Sequence, residues 1–273
     1  MDQYREKREE LAYTNSDFTR RLDFITFLKT LLFENKYTNF YSNRKINFHS
    51  YSSLKKYSKN SYNMLEIGTS WFPNFIKVLN NCYPENQYNV TAINISESEI
   101  EKHKSLFENL CLENIKVAKF EKRNAEKLDF NENVKFDIVI GGAILHHINY
   151  EKTLDDLKKW INKDTIIIFR EPLAHNPILY LYRFFTPFLH TEDEEPINLY
   201  DFIKIAKRLN YNLEIIFQEA LSPLLFPLNV LSKLLRNKKL AKLLCFIDYK
   251  FSNFYLFKPF SRIATFVLKP NCK

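Results

Sequence analysis

Only three glycines occur in 273 residues, where a chain of this length carries roughly 19 at about 7% usage. Their positions constrain the fold more than any other feature. Gly68 ends the apolar run Met64-Leu65-Glu66-Ile67, while Gly141 and Gly142 end the run Phe136-Asp137-Ile138-Val139-Ile140. A chain this poor in glycine keeps it where backbone must turn with positive φ or pass close to another group. Both sites fall at what reads as the carboxyl end of a strand, the edge of an open α/β sheet where ligands bind.

The rest of the chain supports that sheet. Residues 64–68, 89–95, 115–120, 136–140 and 165–170 are short apolar strands. Helices are expected from Pro73 to about 80, from Ser96-Glu97-Ser98-Glu99 onward, and over 150–160. Pro73 suits a first helical turn. Ser96, with acids directly after it, is a helix start. Strands that are continuously apolar and alternate with helices form a parallel sheet covered on both faces. Beyond 171–196, a segment punctuated by proline, the pattern continues as a helix over 198–209, a strand over 212–218 and a final strand over 262–269. Before the first strand, Phe24, Phe27, Leu28, Leu31, Leu32 and Phe33 recur at helical spacing, so residues 1–60 read as a helical cap or lid.

Hydrophobic residues at 45% supply a core and exclude a disordered chain. Cys82, Cys111, Cys245 and Cys272 form no CxxC pair, which argues against a disulfide framework or a zinc site. The polar start at residues 1–8 does not resemble a signal peptide, and no run of about 18 apolar residues is present. A cytoplasmic enzyme is the expectation. The net charge of +8 permits an anionic partner without requiring one.

Six segments in order resemble the class I S-adenosylmethionine-dependent methyltransferases, nearest the small-molecule branch that includes quinone-biosynthesis enzymes. Leu65-Glu66-Ile67-Gly68 resembles the first motif, an acid before a glycine turn. Ala92-Ile93-Asn94-Ile95-Ser96 occupies the end of the second strand. Asn124-Ala125-Glu126-Lys127-Leu128 resembles the segment bordering the adenine. The run 136–148, ending Gly141-Gly142-Ala143-Ile144-Leu145-His146-His147-Ile148, is the nearest match, followed by segments 155–160 and 166–172.

This resemblance implies a Rossmann-like seven-stranded sheet, mostly parallel with an antiparallel last strand. It divides the chain into a cap at 1–60, a cofactor-binding core at 61–220 with a substrate loop at 171–196, a helical insertion at 221–261 and a last strand at 262–273. It also implies S-adenosylmethionine as cofactor and S-adenosylhomocysteine as product. The cofactor is expected to be held by Glu66, Gly68, Ser70, Asn94, Ile95, Ala125, Glu126, Gly141 and Gly142. Two positions depart from the pattern: Phe72 stands where the family has a third glycine, and Asn94 where it has an acid.

Chemistry candidates follow from position. His146 and His147, just past the fourth strand, are the candidate general bases, because imidazole exchanges a proton near neutral pH. Glu171, His175, Arg183 and His190 are expected to wall a polar substrate pocket; their spacing matches no metal motif. A small-molecule acceptor is the leading reading. An RNA methyltransferase lacks a recognition module in this sequence, and a non-catalytic scaffold is the reading that Phe72 and Asn94 would support.

Segment 221–261 sets Lys233, Arg236, Lys238, Lys239, Lys242, Lys250 and Lys258 against Asp248 alone, a net +6 of the chain's +8. Leucines and phenylalanines are interleaved with them. Such a section can lie in a membrane interface. Because Pro223, Pro227 and Asn237 divide it, packing on the domain or in a homodimer is the expected arrangement.

Overall fold

The computed structural model describes residues 61–68, 86–108, 114–130, 133–177, 195–220 and 238–271. The cap expected over 1–60, the helix after Pro73, and Ser70, Phe72, Arg183 and His190 lie outside the described residues.

The strands are β1 (Ser61–Ile67), β2 (Gln87–Asn94), β3 (Ile115–Lys122), β4 (Phe136–Gly142), β5 (Ile161–Pro172), β6 (Tyr211–Gln218) and β7 (Ile263–Pro270). The helices are α1 (Glu97–Glu108), α2 (Tyr150–Leu157), α3 (Leu199–Arg208) and α4 (Lys238–Asn253). One sheet holds all seven strands in the order β3-β2-β1-β4-β5-β7-β6. β1 pairs in parallel with β2 and β4, β2 with β3 and β4 with β5, while β7 runs antiparallel between β5 and β6. The order reverses at β1, with β2 and β3 on one side and β4 on the other. A crevice opens at such a switch point, above the carboxyl ends of the strands.

Strand alternation sorts the apolar runs onto two faces. Leu65, Ile67, Val139, Ile167, Phe169 and Phe266 join Leu154 and Leu157 of α2 and Phe202 and Ala206 of α3 in one buried cluster. Phe202 lies against Phe266 with ring centroids 4.1 Å apart. Both helices start where an asparagine caps them: the side chain of Asn149 accepts from the Lys152 amide, and that of Asn198 from the amides of Tyr200 and Asp201. Such caps satisfy amides that the first turn leaves without partners. The opposite face is covered by α1, whose inward side is Ile100 and His103, with His103 and Phe107 edge-on to Phe120 of β3.

β5 begins four residues earlier than its apolar run, because Ile161 pairs with Phe136 across a register shift. Within the described part of 221–261, Leu243, Phe246 and Ile247 are exposed on the single chain. The helix is moored from its other side, where Asp248 and Ser252 are buried and Ser252 Oγ accepts from the Ala220 amide. Asn253 takes up both the amide and the carbonyl of Phe217 on the edge strand β6.

Candidate active site

Gly68 and Gly141 both lie against Ile144 beside the switch point, and the packing there leaves neither room for a side chain. Gly68 has φ +74°, and a Cβ there would approach the Ile144 side chain to 2.9 Å. At Gly141 a Cβ would lie 2.6 Å from the Phe169 ring and 3.0 Å from Ile144. The backbone after β4 therefore folds tightly over β1 and β5. Ala143 adopts φ +54° in this turn, its amide donating to the Arg170 carbonyl at 2.9 Å. Positive φ in a non-glycine residue is strain that recurs at functional sites.

A short 3-10 turn, Leu145–His147, follows, and Glu171 organises it. Glu171 ends β5 fully buried. Its Oε1 accepts from the amides of Ile144 and Leu145, both at 3.0 Å, and its Oε2 lies 2.7 Å from His146 Nδ1. A carboxylate only accepts, so Nδ1 carries the hydrogen, and in the neutral ring Nε2 carries the lone pair. His146 is itself buried. His147, half-buried, leans against it with ring centroids 4.1 Å apart and the planes tilted by 39°. The sequence placed Glu171 on a substrate pocket wall; the structure turns it inward onto His146, because alternation puts it on the same face as Ile167 and Phe169.

The expected cofactor residues line up along one edge. The Gly68 amide donates to Ile93 O, and the Arg123 amide to Asn94 O, each at 2.9 Å. This draws the ends of β1, β2 and β3 level. Asn94 and Ile95 are half-buried there, and Asn94 Oδ1 accepts from the Ser96 amide at 3.0 Å, forming the turn into α1. Asn124 Oδ1 accepts from the Glu126 amide, and Ala125 is buried beside it. Gly142 pairs in register with Arg170.

Two acids are committed inside the protein. Glu66 has no exposed surface, and its Oε2 lies 2.9 Å from Nε2 of the equally buried His103. Glu126 Oε1 accepts from the Asn149 amide at 2.8 Å, joining the segment after β3 to the start of α2. His175 is also engaged, its Nε2 accepting from the Leu199 amide at the start of α3.

Sequence reasoning missed His103, although it sits on the inward stripe Ile100–His103–Phe107. It also missed a charged cluster at the same edge of the sheet. Arg170 donates to Glu219 at 2.9 Å and to Gln218 at 3.3 Å, while Arg262 donates to the other Glu219 oxygen. Burial pushes the Glu219 carboxyl up, but Arg262 and Arg170 outweigh it and hold its pKa below the ordinary value. Among the described residues, no three His, Cys, Asp or Glu side chains converge as a metal site.

Strand order, switch point and the turn after β4 define the Rossmann-like sheet of class I methyltransferases. Residues 65–169 match the family described as methyltransferase domain. Among solved structures, the plantazolicin methyltransferase BpumL in complex with SAH superposes with a TM-score of 0.55 at 12% identity, covering 98% of this chain and 96% of that one. Magnesium protoporphyrin IX methyltransferase from Synechocystis PCC 6803, with bound SAH, gives 0.58 at 11% identity, covering 97% and 100%. Phosphoethanolamine N-methyltransferase 2 from Haemonchus contortus gives 0.59 at 15% identity, covering 97% of this chain and 60% of that chain. At these identities the likeness is one of fold. No curated protein matches the chain.

Proposed function

We propose that the protein is an S-adenosylmethionine-dependent methyltransferase acting on a small molecule, with His146 as the general base and Glu171 as the residue that positions it. The observation that carries this reading is the buried His146–Glu171 pair, placed directly beside the Gly68–Gly141 crevice. The solved relatives named above that hold SAH support the cofactor assignment.

The residues present fit that cofactor. The positive-φ Gly68 turns the chain at the end of β1, beside the switch point. Asn94 offers an amide at the end of β2, where a hydroxylated sugar would lie, and the segment 124–126 after β3 would border the base. Glu66 serves from beneath, where its pairing with His103 holds the end of β1, and Glu126 acts by ordering the start of α2. When bound, S-adenosylmethionine supplies an electrophilic methyl group and is released as S-adenosylhomocysteine.

The chain's own residues then do three things. The fold holds an acceptor atom in line, which by itself supplies much of the acceleration of a bimolecular transfer. His146 Nε2 takes the proton that an O–H, N–H or acidic C–H acceptor must lose. Glu171 stabilises the imidazolium so formed, because its Oε2 already accepts from Nδ1. Incubation with labelled methyl donor tests the reading. Label is expected in a small-metabolite fraction and not in total RNA, and labelled RNA alone would overturn it.

A further inference from the structure

Seven large apolar side chains stand exposed in one continuous stretch of α4 and the 3-10 turn after it, Tyr255–Phe260. On α4, Leu243, Phe246 and Ile247 fall at i, i+3 and i+4, and exposed Lys250 continues the same stripe. Past the helix, Phe254, Tyr255, Leu256 and Phe260 extend it, Tyr255 being 81% and Leu256 64% exposed. Single exposed apolar residues need no explanation, but a contiguous group of this size marks an interaction surface.

The mooring of α4 shows that the stripe is held outward. Asp248 and Ser252 are buried on its other side, and Asn253 clamps the backbone of Phe217. The aromatic rings form a connected series: Phe251 to Phe257 at 3.9 Å, and Phe257 to Phe260 at 6.4 Å. This is a fixed surface.

Charge selects the occupant. Between positions 238 and 260 the chain has five lysines and one acid, and that acid, Asp248, is fully buried. Lys250 lies over the Phe246 ring at 5.6 Å, which sets a cation within the apolar patch. A symmetric contact between two copies would place this patch against itself, lysines facing lysines, with no exposed acid in the segment to answer them. An anionic bilayer answers both properties, taking the rings into the headgroup boundary and pairing the lysines with lipid phosphates. Among the described residues no helix is long and apolar enough to cross a membrane, so such contact is with the surface.

We propose that α4 and the 3-10 turn after it dock the protein on an anionic membrane surface. The inference is independent of the acceptor assigned above.

Co-sedimentation of the full chain with phosphatidylcholine vesicles, with and without phosphatidylglycerol, tests it. Binding is expected only to the anionic vesicles, weakening as salt rises. Lys250→Gln should reduce binding by about fivefold, the effect of one near-surface cation, and Lys258→Gln should add to it. The triple change Phe246→Ser, Tyr255→Ser and Leu256→Ser should abolish binding while circular dichroism is unchanged; should it unfold, the two lysine variants decide alone. Equal binding to neutral and anionic vesicles would overturn the proposal, as would no binding at low salt. So would a dimer in sedimentation velocity that the lysine variants leave intact and that fails to bind vesicles.

Discussion

Replacing Glu171 with glutamine separates orientation of His146 from mere packing. The substitution keeps size and shape but puts an amide where a carboxylate accepted three hydrogen bonds, at 2.7, 3.0 and 3.0 Å. The glutamine oxygen can still accept from the amides of Ile144 and Leu145. Its NH2 then faces His146 Nδ1, and two donors cannot share a hydrogen bond. The ring answers by moving its hydrogen to Nε2, the atom that has to accept the substrate proton. Hydrogen bonds to a charged group contribute about 1.5–3 kcal/mol and neutral ones about 0.5–1.5. Relief of the carboxylate's own desolvation offsets part of that difference, so a stability loss of about 1–3 kcal/mol is expected by urea unfolding. Turnover should fall much further, by ~10²–10⁴, the contribution of a positioned general base. Affinity for the cofactor should hold, since Glu171 lies behind the histidine. Nitrogen-edited NMR of labelled protein reads the tautomer directly, and His146→Ala supplies the reference rate. Turnover within about threefold of wild type in a variant whose tautomer has switched would refute the reasoning.

Other positions give sharper structural tests. Gly141→Ala drives a methyl to 2.6 Å from the Phe169 ring, and should destabilise the fold by about 1–3 kcal/mol, the usual cost of overpacking, read as a lower urea midpoint. His103→Leu removes the partner of a fully buried carboxylate; it should lose about 1–3 kcal/mol of stability and weaken cofactor binding through Glu66, measured by calorimetry. The Glu219 carboxyl titrates below its ordinary value of 4.5. A group depressed on folding contributes stability that is complete above its unfolded value and is lost as pH falls through the folded one. Wild type should therefore exceed Glu219→Gln in stability by a constant margin from neutral pH down to about 4.5, with the margin closing below that; a margin that widened on acidification would contradict the assignment of Arg170 and Arg262 as its partners.

The sheet was legible because its central strands β1, β4 and β5 are largely buried and carry long apolar runs. β5 shows the limit of that signal. Its first residues include Asn162, Lys163 and Asp164, exposed and polar, and the pairing of Ile161 with Phe136 is what places the start of the strand ahead of them. Glu171 was visible as a residue at the right edge, yet its inward direction required counting alternation from Phe169. His103 sits on the inward stripe of α1, but a histidine between Ile100 and Phe107 reads as packing until Glu66 is seen beneath it. For α4 the pattern was ambiguous in principle. Leucines at helical spacing look the same whether the apolar stripe faces a core or faces outward, and Ser252 and Asn253 decide it only through their bonds to Ala220 and Phe217.

Calorimetric titration of the full chain with S-adenosylhomocysteine, repeated with Asn94→Leu, tests the central claim most directly. The edge formed by Gly68, Asn94, Ile95 and Ala125 predicts saturable binding of one ligand per chain. Asn94→Leu should weaken that binding by about 10-fold, as expected for losing one hydrogen-bonding group, and should lower the melting temperature slightly, since the Ser96 amide loses its acceptor. No heat at millimolar ligand, from protein whose fold is confirmed by circular dichroism, would contradict the account and leave the sheet as a scaffold without its cofactor.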